Sequence, residues 1–216
     1  VLYGSAAAGE FIERRSDRNV LVIVEALDLE KLRNEAAVAR GWAEAGNPPP
    51  LTLTVQEWRG CADVFPMEVA DVLGGHRVLH GSPPFDGVRV DLEHLRLQLE
   101  QQALGKLLQL RQGVLAAGGD AARLRELLAT SLSTFMVILR AVARLHGEEP
   151  PADYEALTGS VAAHAGLDAA PFVRVVRHVR GAETLPKEDA PAVLAAWLTE
   201  MQKLVAHVNA FRSGAG

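Results

Sequence analysis

The chain has 216 residues, of which 49% are hydrophobic and 23% charged, enough for one substantial hydrophobic core or two small ones. With 22 Lys and Arg against 27 Asp and Glu, the net charge of −5 excludes a general attraction to nucleic-acid phosphates or to an anionic membrane. The sequence has no signal pattern and no apolar run of the roughly 20 residues that a membrane helix needs. The single cysteine, Cys61, cannot form an internal disulfide, so we expect a globular protein of the cytoplasm.

The first ninety residues have the pattern of a small domain of strands and helices. Residues 1–5 indicate the end of a buried strand that enters a turn, and we expect further native residues before Val1 to cover its edge. The β-branched run at residues 20–24 predicts a strand covered on both faces. Three further elements follow along the chain: a helix over 28–45 with Asp28 as its N-cap, a strand over 51–55, and an extended segment over 64–70.

The rest of the chain, from Asp91 onward, has helical periodicity throughout. Leucine and alanine recur at three- and four-residue spacing in two long segments, 91–117 and 120–146, which are separated by a pair of glycines. Three shorter helices are predicted over 151–165, 168–180 and 188–211. We therefore expect an α+β protein, with a small mixed sheet and its helices in residues 1–90 and an all-helical bundle in residues 91–216.

The residues most informative about chemistry lie at the ends of the first two predicted strands. Gly4 and Ser5 follow the first strand, and such a turn offers free backbone N–H groups and a hydroxyl to a phosphate. Asp17 and Asn19 stand at the start of the second strand. Because side chains two residues apart share one side of a strand, these two positions suit a shared metal ion.

Three short segments form a combination that is more specific than any of them alone. They are Gly4-Ser5, then Asp17-Arg18-Asn19 after a gap of eleven residues, and later Met67-Glu68-Val69. The combination resembles the nucleotidyltransferase superfamily that includes DNA polymerase beta, and in particular bacterial stand-alone members with a helical C-terminal domain. The resemblance covers roughly residues 1 to 90. It implies that Mg²⁺ ions and an NTP are bound, that a nucleophile attacks the α-phosphate, and that pyrophosphate leaves.

Carried over by position, the resemblance assigns a role to each matching residue. Gly4 and Ser5 would hold the triphosphate, Asp17 would ligate the metals, and Glu68 would be the third ligand and help the incoming nucleophile lose its proton. Asn19 departs from the family pattern, which has a carboxylate there. A neutral amide oxygen is a poorer ligand for a hard dication, so we expect metal affinity and turnover to fall, by about 10 to 100-fold or more.

Two functions remain open from the sequence. The first is an active enzyme that transfers NMP to a hydroxyl of a small molecule, an RNA or a protein, with the helical half supplying the acceptor pocket. The second is an inactive relative that senses a nucleotide or binds another protein, which Asn19 favours. The three retained residues Ser5, Asp17 and Glu68 favour the enzyme. The acceptor, the preferred base and the formation of a homodimer are not determined by the sequence.

Overall fold

The computed structural model describes residues 1–8 and 18–212. It is an α+β structure in which the chain divides into two compact units, Val1–His94 and Leu95–Gly216. The first unit contains every described strand. The second unit is helical wherever it has regular secondary structure within the described residues.

A mixed four-stranded sheet organises the first unit, with the strand order β3-β2-β1-β4. Strand β1 pairs antiparallel with β2 on one side and with β4 on the other, and β2 pairs parallel with β3. The predicted strand at residues 20–24 is therefore confirmed as a central strand. The strands are β1 (Leu2–Tyr3), β2 (Asn19–Val24), β3 (Leu51–Thr54) and β4 (His76–Arg77).

Helix α2 of the first unit begins and ends as the sequence predicts, but the leucines of its first turns are exposed. The Asp28 side chain caps it by accepting from the Lys31 backbone N–H at 2.9 Å, and none of its residues is fully buried. Its most protected line contains Glu35, whose carboxylate accepts from the Thr52 hydroxyl at 2.7 Å, instead of the leucines of its first turns. The helices of this unit are α1 (Ser5–Ala8), α2 (Leu29–Glu44), α3 (Val55–Gly60) and α4 (Pro66–Gly74).

The prediction of an extended segment over residues 64–70 is wrong, because Pro66 begins a helix there. Proline is favoured at the first helical position, where its missing N–H costs no hydrogen bond. Met67, Val69 and Val72 are buried in α4, and Val69 and Val72 share the side that faces the core of the unit. The core of the unit joins this helix to the sheet, and its fully buried members are Leu21, Trp58, Val69 and Val72.

The second unit consists of helices that match the predicted segments closely. The long apolar stripe of α6 is buried, as is the stripe on one side of α9 from Val193 to Val208. Helices α7 and α8 end at Gly166 and Gly181, both in the left-handed conformation that favours glycine. The helices are α5 (Leu92–Ala117), α6 (Ala121–Leu145), α7 (Tyr154–Ala165), α8 (Ala170–Arg180), a short 3₁₀ helix (Lys187–Asp189) and α9 (Ala190–Ala210).

Three aromatic rings form the centre of the second unit. The Phe135 ring stacks on Phe172 with centroids 4.5 Å apart, and the Trp197 ring lies 4.9 Å from Phe135 and 4.8 Å from Phe172. Helix α6, which contributes Phe135, is by length and composition the one helix among the described residues that could cross a membrane. Most of that stretch is buried inside the structure, as is common for the central helix of a packed domain.

Candidate functional site

The pairing of three strands places Asn19, Tyr3 and His76 side by side. Tyr3 on β1 stands opposite Asn19 on β2 and opposite His76 on β4. Residues directly opposite each other on neighbouring strands project from the same face of a sheet. The core residue Leu21, two positions after Asn19, projects from that face as well, and α4 packs against it. The Asn19 side chain, at the start of β2, therefore projects from the face of the sheet against which α4 packs.

Gly4 and Asn19, two of the predicted site residues, are brought together at the end of β1. Gly4 has a φ of +74°, a conformation that L-residues with a side chain rarely adopt. A Cβ atom at this position would lie 3.1 Å from Asn19 Nδ2. Ser5 follows as the first residue of α1. The backbone angle thus favours glycine here, and a side chain at this position would require the Asn19 amide to shift.

The start of β2 is fixed by a buried asparagine. The Arg18 backbone N–H donates to Asn47 Oδ1 at 3.1 Å, and Asn47 Nδ2 donates to the Trp42 carbonyl oxygen at 3.3 Å. Asn47 lies in the turn between α2 and β3 and is only 8% exposed. Asp17, the predicted metal ligand, lies outside the described residues. Arg18, the residue after Asp17, is anchored by its backbone N–H to the turn between α2 and β3.

Glu68 lies in the first turn of α4, and the prediction that it belongs to a strand is wrong. It is nevertheless close to the end of β1. Burial raises the pKa of the Tyr3 phenol, and the negative charges of Glu68 and Asp71 raise it further. Burial also raises the pKa of the Cys61 thiol, to which Glu68 adds a smaller effect. The Glu68 carboxylate is therefore exposed but electrostatically coupled to two residues near the candidate site.

A pocket of about 770 Å³ opens beside this face of the first unit. Its wall is largely apolar, with a few polar groups, which is the usual character of a small-molecule site. Glu68 and Tyr3 belong to it, so the pocket adjoins the row of Asn19, Tyr3 and His76. Other lining residues include Leu53, Trp58, Cys61 and Phe65.

The described residues alone do not complete a metal site. Among them, no group of three or more His, Cys, Asp and Glu side chains is arranged to hold a metal ion. Of the three predicted ligands, Asn19 and Glu68 are described, and only Glu68 is charged. Mg²⁺ prefers carboxylate oxygens, so a magnesium site here would depend on Asp17.

Two residues near the site, Tyr3 and Asp71, were not predicted from the sequence. Tyr3 immediately precedes Gly4, and its position beside the site follows only from the cross-strand register with Asn19. Asp71 stands three residues after Glu68, a spacing that places both carboxylates on one side of a helix. This spacing is visible in the sequence, but it brings the two carboxylates together only if residues 66–74 form a helix.

A second group of titratable side chains lies in the second unit, where α6, α7 and α9 approach their C-terminal ends. His146 Nε2 and His207 Nε2 are 2.9 Å apart, and the His146 and His164 rings stack with centroids 4.4 Å apart. His164 Nε2 is 2.8 Å from Glu148 Oε1, and the Ser160 hydroxyl donates to the other Glu148 oxygen at 2.7 Å. Burial lowers the pKa of His146 and His207, and the neighbouring imidazoles lower it further.

We expect acid to destabilise the second unit through these histidines. Their folded pKa lies below the ordinary value of 6.5, so the unfolded chain binds protons more readily. The native state should keep its full stability above about pH 6.5 and lose it as the pH falls towards the lowered pKa. Thermal melting from about pH 8 to about pH 5 should give a falling midpoint in the wild type.

The double variant His146→Gln/His207→Gln should flatten this pH dependence. His80→Gln is the matched control, because His80 is an exposed histidine in the first unit. Two results would contradict the assignment: a control variant that flattens the profile as much as the double variant does, or a wild-type melting temperature that stays constant as the pH is lowered from about 6.5 to about 5.

Comparisons with protein-family models, with curated proteins and with solved structures give no match to this chain.

Proposed function

We propose that this protein is a nucleotidyltransferase that moves an NMP group from an NTP to a hydroxyl acceptor, with turnover reduced by Asn19. The observation that supports this most directly is the close approach of Gly4 to Asn19, whose Nδ2 atom lies 3.1 Å from where a Cβ would stand. A left-handed glycine turn leaves backbone N–H groups open to a phosphate. The triphosphate would lie at this turn, beside the start of β2.

The proposed metal ligands are Asp17, Asn19 and Glu68. Bound Mg²⁺ would neutralise phosphate charge and align the attacking and leaving oxygens. Asn19 contributes an oxygen without a negative charge, so affinity for the metal is lower than with aspartate at this position. Asp17 accordingly provides the main anionic ligand of the proposed site.

Glu68 and the adjoining pocket suit the acceptor. The Glu68 carboxylate is exposed on the first turn of α4 and lines the pocket together with Tyr3. A carboxylate within reach of an acceptor hydroxyl can take its proton as the new phosphate ester bond forms. The apolar wall around Trp58 and Phe65 would hold the body of the acceptor or a nucleobase.

A second candidate function is a nucleotide-sensing or protein-interaction module that has lost turnover. Two observations favour it: the neutral Asn19 among the proposed ligands, and the position of Glu68 on a helix instead of the expected strand. The enzyme and a nucleotide-sensing module would both bind an NTP, whereas a protein-interaction module need not bind one. Binding and turnover must therefore be measured separately.

The test is Mg²⁺-dependent thermal stabilisation of the full chain by each NTP. A ligand at ten times its dissociation constant stabilises the native state by about 1.4 kcal/mol. For a unit of the size of Val1–His94, this raises the melting temperature by about 5–10 °C. We expect a shift that requires Mg²⁺, disappears in Asp17→Ala and grows in Asn19→Asp. Asp86→Ala is a control for the loss of an exposed carboxylate elsewhere in the first unit.

The same variants separate the two functions by pyrophosphate release. Release by the wild type that increases in Asn19→Asp supports the enzyme, whereas a nucleotide-induced shift with no release in either protein supports the inactive module. No thermal shift in the wild type and none in Asn19→Asp would refute nucleotide binding at this site.

A further inference from the structure

One side of helix α5 presents leucines that the second unit leaves uncovered. Its other side is buried, from Leu95 to Ala117. The leucine stripe is defined by Leu97, Leu104, Leu108 and Leu115, whose exposed fractions are 54%, 43%, 47% and 81%. At 3.6 residues per turn, these four side chains lie within about 20° of one line along the helix. Their seven- and four-residue spacing is that of a coiled-coil seam.

The order of the stripe is the same in both directions along the helix. Leu97 and Leu115 stand nine residues on either side of Lys106, and Leu104 and Leu108 stand two residues on either side of it. A two-fold axis perpendicular to the helix at Lys106 therefore brings Leu97 opposite Leu115 of a second copy. It also brings Leu104 opposite Leu108. A closed two-fold interface needs this kind of self-complementary surface.

We infer that the leucine stripe of α5 pairs antiparallel with the stripe of a second copy of this chain. The pair forms through about 27 Å of helix, the length from Leu97 to Leu115. Such pairing removes four partly exposed leucines of each copy from water, which is the main driving force for association of helices in solution.

The charges beside the stripe match this occupant. Glu100 and Arg111 lie on the same flank of the stripe, about 60° and 40° from its centre line. In the antiparallel pair the same flanks of the two copies meet, so Glu100 comes beside Arg111 of the second copy, and the reverse pair forms as well. Gln101 and Gln112 occupy the other flank of the stripe, where they meet each other across the axis.

A parallel arrangement would lose both ion pairs. There, opposite flanks meet at the same height, so Glu100 would face Gln101 of the second copy and Arg111 would face Gln112. Within one copy Glu100 already accepts from Arg96 Nη1 at 2.9 Å, and it remains 31% exposed. The antiparallel pair therefore adds a second cation to a carboxylate that is already oriented along the flank.

The first experiment is sedimentation velocity of the full chain from low micromolar to several hundred micromolar concentration. We expect a reversible dimer in the wild type, and at least a tenfold rise of the dissociation constant in Leu104→Glu, with an unchanged far-ultraviolet circular dichroism spectrum. Val38→Glu is the matched control, since Val38 is an apolar residue of another helix and is 79% exposed. It should leave the dissociation constant unchanged.

The second experiment tests the register by exchanging charges. Arg111→Glu alone and Glu100→Lys alone should each be monomeric, because like charges then meet at both ends of the pair. An equimolar mixture of the two variants should dimerise. In the mixed pair, Glu100 of one variant meets Arg111 of the other as in the wild type, and the introduced glutamate meets the introduced lysine with the signs reversed. A wild type that stays monomeric, a dimer unaffected by Leu104→Glu, or a mixture that does not recover would each overturn the inference.

Discussion

Replacement of Trp197 with alanine is expected to lower the free energy of unfolding of the second unit by about 3–5 kcal/mol. Trp197 has no exposed surface, and its ring contacts both Phe135 and Phe172. Its indole N–H has no hydrogen-bond partner within the part of the chain that the structure describes, so the loss arises from packing and from the cavity left behind. The stability of a typical domain is only about 5–15 kcal/mol, so this is a large fraction of it.

Urea unfolding followed by far-ultraviolet circular dichroism measures this loss. Trp197→Phe is the matched control, because it keeps an aromatic ring in the cluster and should cost considerably less. The remaining tryptophans, Trp42 and Trp58, both lie in the first unit, so their fluorescence reports whether that unit is unaffected. A loss below about 1 kcal/mol in Trp197→Ala would mean that the aromatic cluster is not the centre of the core.

The helices of the second unit could be predicted because their apolar stripes are long. Helix α9 repeats apolar residues from Val193 to Val208, over about four turns, and this stripe is the side that the structure buries. In α5 the same periodicity predicted the buried side but not the exposed leucines. Leu95 and Leu99 follow the predicted buried stripe, but four further leucines lie on the opposite side, where periodicity within one chain assigns no partner.

Residues 64–70 were assigned incorrectly because a short segment supports two patterns. Phe65, Met67 and Val69 alternate as a strand would, yet Pro66 and Glu68 suit the first turn of a helix. In nine residues the helical period repeats too few times to decide between them. Helix α2 shows a related difficulty, since Leu29 and Leu32 are exposed while Glu35 is half-buried. The hydrogen-bond partner of Glu35, Thr52, lies 17 residues further along the chain.

The nearness of the candidate site residues depends on strand register, which the sequence does not determine. Gly4 and Asn19 could be proposed as partners from a resemblance, but their contact follows from the pairing of Tyr3 with Asn19. The electrostatic influence of Glu68 on Tyr3 likewise depends on how α4 packs against the sheet. Spacing along the chain identified these residues as candidates, and the antiparallel pairing of β1 with β2 brings two of them together.

Gly4→Val should destabilise the first unit by about 2 kcal/mol and remove the Mg²⁺-dependent stabilisation by NTP. A β-branched residue is strongly disfavoured at a φ of +74°, and its Cβ would also crowd the Asn19 amide. Gly4→Asn separates these two causes, because asparagine tolerates the left-handed conformation but still adds a Cβ. It should retain more stability than the valine variant while still losing nucleotide binding.

Gly75→Val is the control for Gly4→Val, because Gly75 lies in the same unit with a φ of −155° and nothing within 4 Å of an added Cβ. Extended backbone accommodates valine, so both the urea midpoint and the nucleotide-induced shift should stay close to wild type. If Gly4→Val instead retains the nucleotide-induced shift, the nucleotide does not bind at the turn after β1. If Gly75→Val loses as much stability as Gly4→Val, the strained turn is not what distinguishes Gly4.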